Sequence, residues 1–136
     1  MSDDNLLSFA EQVGKDIAAA TRDTGWRDIS TLLPAGWSGT VALLRTQNRV
    51  TIVGTNIRPA AVGTTGILDV PAGFRPARKT NGVGDESGAY RPVFALNFSP
   101  YKLEIRNIAA ASSWVDFSIT YVTQDVWPAA LPGTPL

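Results

Sequence analysis

A chain of 136 residues holds one hydrophobic core and a short appendage, because single cores serve ~100–200 residues and a second catalytic domain does not fit. Twelve Lys plus Arg balance twelve Asp plus Glu, so no net charge draws the chain to nucleic acid or to an anionic membrane. There is no histidine and no cysteine, which excludes disulfides, thiol nucleophiles, imidazole acid–base chemistry and His- or Cys-ligated metals.

The opening Met1-Ser2-Asp3-Asp4-Asn5 is acidic, and Glu11, Lys15 and Asp16 interrupt the apolar residues that follow; neither a secretory signal nor a membrane span is expected. Leu6, Ala10, Val13, Ile17 and Ala20 recur in steps of four and three, which predicts a helix from about Asp4 to Thr21 within an N-terminal segment 1–24. In coiled-coil lettering they read d, a, d, a, d. Two readings fit: a helix that trimerises or docks on a virion, and an amphipathic helix packed on its own domain.

From residue 25 to 125 the pattern changes to β-branched and alternating stretches separated by Gly, Pro, Asn and Ser. Seven strands are predicted, at about Trp26 to Leu32, Thr40 to Thr46, Arg49 to Thr55, Thr65 to Val70, Tyr90 to Asn97, Lys102 to Asn107 and Trp114 to Thr123. The expected fold is all-β, a jelly-roll-like antiparallel β-sandwich preceded by one α-helix. Val115, Phe117, Ile119 and Tyr121 share one face of the last strand, and Trp26, Phe94, Phe117 and Tyr121 read as core. Residues 126–136 form a tail whose Pro128, Pro132, Gly133 and Pro135 argue against regular structure.

The longest irregular stretch runs from Pro71 to Gly88. Its Gly82-Val83-Gly84-Asp85-Glu86-Ser87-Gly88 has the glycines of a phosphate loop but is followed by a strand pattern instead of a helix, and is expected to be a flexible loop. Asp85 and Glu86 are too few ligands for a hard cation, so no metal is assigned. Asp69, Glu104 and Asp116 lie in or beside strands, where acids usually face solvent, and no catalytic residue or cofactor is assigned.

Trp37, Tyr101 and Trp127 fall in turns and tail. If seven strands alternate in direction, these three rings and Arg58 collect at the end opposite the helix. There they either form a ligand face, as rings with an apolar surface and a polar tip do for carbohydrate, or plug the end of the barrel or a trimer axis.

The succession Asp23-Thr24-Gly25-Trp26-Arg27-Asp28-Ile29, then Gly36-Trp37, the hairpin Val41 to Ile57 and Leu68-Asp69-Val70-Pro71-Ala72-Gly73-Phe74-Arg75-Pro76 resembles the C-terminal domains of bacteriophage tail-fibre and minor tail proteins. The likeness covers about Asp23 to Thr123. It implies a non-enzymatic, homotrimeric β-sandwich on the virion, with other virion proteins and host-surface glycan as partners and no nucleic acid or membrane. A helix before such a domain resembles a trimeric stalk. The alternative is a trimeric capsid decoration protein, or head fibre, docked on the shell through its N-terminal segment.

Overall fold

The structure is a computed structural model that describes residues 3–20, 22–60, 63–86, 89–97, 101–108 and 114–136. The helix α1 spans Asp3–Ala20, as its periodicity requires. Its described side chains, Asn5 to Gly14, are all exposed, with Leu6 at 56%, Leu7 at 63%, Phe9 at 64% and Val13 at 39%. Over these residues the apolar stripe does not pack on the chain's own β domain. The side chains of Ile17 and Ala20 lie outside the described ones.

Nine strands follow: β1 (Arg27–Asp28), β2 (Ser38–Thr46), β3 (Arg49–Arg58), β4 (Gly63–Asp69), β5 (Asn81–Glu86), β6 (Ala89–Asn97), β7 (Lys102–Ile108), β8 (Val115–Val122) and β9 (Thr134–Pro135). They are hydrogen-bonded in the order β4-β7-β6-β5-β8-β3-β2-β1-β9, antiparallel at every step. In a flat sheet β4 would stand five strand spacings, ~24 Å, from β3. Yet Ile67 and Leu68 of β4 and Leu103 of β7 share one buried cluster with Val41, Leu43, Val50, Ile52 and Ile119. The sheet therefore folds over on itself around a common core, the sandwich-like all-β fold expected. The β4-β7-β6-β5 order is a Greek key, the device from which jelly rolls are built.

The alternation in β8 is as read: Val115, Phe117, Ile119 and Tyr121 are buried, while Ser118, Thr120 and Val122 are exposed. The first strand is shorter than expected. The Asp28 carboxylate accepts the Ser30 amide at 2.9 Å and its hydroxyl at 2.6 Å, which turns the chain into a 3-10 turn over Ser30–Leu32. Ile29 is the residue that enters the core, and Trp26, expected inside, is 40% exposed. The Phe94 side chain lies outside the described ones.

The glycine-rich stretch expected to be a loop is the strand β5, paired with β6 and β8. Phe117 is paired with Gly54 of β3 on one side and Gly84 of β5 on the other. A Cβ on Gly54 would overlap the Phe117 ring, whereas one on Gly82 would only come into ordinary contact with Ile119 Cδ1 at 3.4 Å. The tail also departs from expectation, since Thr134–Pro135 pairs with β1 at the sheet edge, where a proline is tolerated.

Gly54→Ala should lower unfolding free energy by ~1–3 kcal/mol in urea titrations, as overpacking does. Adding Phe117→Leu should restore part of that loss. Equal stability of wild type and Gly54→Ala would contradict this account of the strand glycines.

Candidate functional site

The additional strand β5 decides where the expected site residues lie. With one more reversal of direction, everything after it changes ends. At the helix end β2 finishes and β3 starts, and the segment behind α1 is bonded there through Gln47 N to Arg22 O at 2.8 Å and Thr24 N to Arg45 O at 3.0 Å. Trp37 and Arg58 lie at the far end, where Ser38 pairs with Arg58. Tyr101, just before β7, and Trp127, beyond β8, lie at the helix end. The four residues do not form one face.

At the far end Trp37 is half-buried against the core, with its amide on Pro34 O at 3.1 Å, and Arg58 is exposed. Gly39, at φ 122°, lets the β2–β3 bulge close, because a Cβ there would lie 2.6 Å from Asn56 O. Beside it the Asn56 amide donates to Asp116 Oδ1 at 2.6 Å.

The helix end is organised by Arg45, whose periodicity in β2 turns its side chain inward, 6% exposed. Its guanidinium donates to four carbonyls: Gln47 O at 2.7 Å, Gly73 O at 2.5 Å, Asp125 O at 2.9 Å and Val126 O at 3.2 Å. Burial lowers its pKa, opposed by the nearby Asp125 carboxylate and reinforced by Arg22. The Asp125 carboxylate accepts the Gly73 and Arg75 amides at 3.0 and 3.1 Å, and the Tyr121 hydroxyl donates to Phe74 O at 2.5 Å. Burial pushes the Tyr121 phenol well above its ordinary range, so it stays a donor.

Two of the three aromatics expected at a ligand face, Trp127 and Tyr101, have internal cations over their rings. The Arg45 guanidinium lies 4.9 Å and that of Arg22 5.5 Å from the Trp127 ring centre, and Arg75 lies 4.9 Å from that of Tyr101. Their partial burial is explained within the chain. Of the acids weighed for catalysis, Asp69 and Glu104 lie on the neighbouring strands β4 and β7, Asp69 opposite Lys102, which it meets at 3.9 Å and which is two residues from Glu104; Asp116 holds Asn56 at the far end, on β8, three strand positions from β7. Among the described residues no group of three or more acids is placed to hold a metal, and no helix is long and apolar enough to cross a membrane.

Sequence reading missed the outer face of β1, β2 and β3. One residue before the Arg27–Leu43 pair, Trp26 stands opposite Leu44, and Leu44 pairs with Thr51, which pairs with Thr120. Leu136 N donates to Trp26 O at 3.1 Å, extending the row to the tail. Beside the row is an open groove of about 490 Å³ lined by Leu44, Thr46, Gln47, Asn48, Arg49 and Thr51. The odd–even pattern of β2 and β3 could have found this face; treating Trp26 as core hid it.

No protein family, curated protein or solved structure matches the chain.

Arg45→Met should cost ~2–4 kcal/mol in urea denaturation, because it strips the buried Gly73 carbonyl and three part-buried ones of their donor, and should expose residues 124–136 to limited proteolysis. Arg45→Lys should rescue little, since an ammonium cannot span four carbonyls and lie over an indole. A stable Arg45→Met protein with a protected tail would contradict this role.

Proposed function

We propose that the chain is a non-enzymatic phage virion surface protein, a homotrimer joined through α1 whose β-head faces outward and binds host-surface glycan. The exposed stripe of α1 carries this reading. Leu6, Ala10 and Val13 form its centre and Phe9 and Leu7 its flanks, an apolar arc of ~160° at 100° per residue, wider than the seam of a two-helix coiled coil. A helix of 18 residues with so much apolar surface in water is marginal alone, and association with copies of itself removes that surface. The ion pair of Asp69 with Lys102, the separation of Asp116 from Asp69 and Glu104, and the lack of histidine and cysteine support a binding role over hydrolysis.

The capsid-decoration reading is favoured by the division of Trp37 and Arg58 from Tyr101 and Trp127. A decoration protein needs the helix as a dock and needs no ligand face built from those four residues. Immunogold labelling of intact virions separates the two positions, tail against shell.

Sedimentation equilibrium at micromolar concentration should give about three chains per particle. Val13→Asp places a charge in the seam and should release folded monomers, with the β domain's circular dichroism unchanged. A wild-type monomer at that concentration, or a trimer that survives Val13→Asp, would overturn assembly through α1.

A further inference from the structure

We infer that the outer face of β1, β2 and β3 beside Trp26 is a saccharide-binding site. The inference rests on the glycan-binding part of the proposed function and not on the trimer.

Trp26 presents a ring 40% exposed, and continuation of the Arg27–Leu43 register places it opposite Leu44, which lines the groove of about 490 Å³; Trp26 borders that lining and is not part of it. The groove's other lining residues are Thr46, Gln47, Asn48, Arg49 and Thr51, with the Thr46 hydroxyl 3.4 Å from the Asp23 carboxylate and the Thr51 hydroxyl 3.0 Å from that of Thr120. An indole platform beside a wall of mostly neutral polar residues with one guanidinium complements a ligand with one apolar C–H face and a hydroxylated rim, which is a sugar ring. A polyanion would require more than one cation here and a chain with excess positive charge. An added peptide strand would require a free backbone edge, but β1 is covered by β9, whose Pro135 offers no amide.

The wall is held in place before any ligand arrives. Gln47 adopts a left-handed conformation, φ 55°, fixed by its amide on Arg22 O at 2.8 Å and its carbonyl on Arg45 Nε at 2.7 Å. Asn48 O accepts the Thr123 amide at 2.8 Å, and the Thr51 and Thr120 hydroxyls are 3.0 Å apart. Such preorganisation lowers the entropy cost of binding.

The test is affinity electrophoresis of the full chain through native gels containing arabinogalactan, mannan or dextran, with sedimentation of the same samples. At least one polysaccharide should retard the wild type. Trp26→Ala should weaken that retardation about tenfold and Trp26→Tyr much less, Thr51→Val should weaken it severalfold, and Trp37→Ala should not change it. All variants should sediment as the wild type does.

Retardation that survives Trp26→Ala, or is lost in Trp37→Ala alone, overturns this site and leaves the proposed function standing. A changed sedimenting mass in Trp26→Ala identifies the face as a contact between copies and likewise overturns it. If no polysaccharide retards an intact trimer, the glycan-binding part of the function falls with the site.

Discussion

One buried guanidinium holds the helix end of this molecule together. The turn at 71–77 and the segment at 124–128 are irregular, so most of their carbonyls have no sheet partner and must find donors elsewhere. Arg45 reaches both, and the β2–β3 turn as well, from one inward position. Removing its charge from water is costly, and four carbonyl acceptors, the Asp125 carboxylate and the Trp127 ring together offset that cost. The tail is thereby fixed, which allows β9 to cover the edge of β1 with Arg27 bonded to Pro132 O at 2.9 Å and Gly133 O at 3.0 Å.

The second constraint is steric and sits in the middle of the sheet. Phe117 of β8 fills the core at a point where both neighbouring strands carry glycine, Gly54 and Gly84. Gly54 is thus an accommodation of Phe117, and the glycines of β5 belong to a strand paired with both β6 and β8. Because β5 is a strand, the chain reverses once more than the other strands require. That single reversal carries Tyr101 and Trp127 to the helix end, under guanidinium groups, and leaves Trp37 and Arg58 at the other.

Helix α1, the β2–β3 hairpin and β8 are legible in the sequence because each has a long, unbroken period of 3.6 or 2. β5 is not legible, because the signal for a strand is the side chain, and Gly82 and Gly84 leave its alternation without one of its two faces. Trp26 was misplaced for a related reason: an aromatic next to a strand reads as core, and only the Asp28–Ser30 turn, a tertiary matter of Ser30 Oγ also accepting Val41 N at 2.9 Å, assigns the inward position to Ile29. Arg45 carried no sequence signal beyond its parity. A charge at an inward position is usually an error in the pattern, and here it marks the place where irregular segments need donors.

Together these constraints give a β-head with a bonded helix end, an open outer face beside Trp26 and a helix whose described apolar residues, Leu6 to Val13, the head leaves uncovered. Hydroxyl-radical footprinting of the native assembly, read by mass spectrometry, tests that arrangement in one experiment. Leu6, Phe9 and Val13 should be protected by association of the helices, Trp127 should react slowly beneath its two arginines, and Trp26 should be labelled readily. Ready labelling of the helix together with protection of Trp26 would contradict the account, since the copies would then meet through the head and not through the helix.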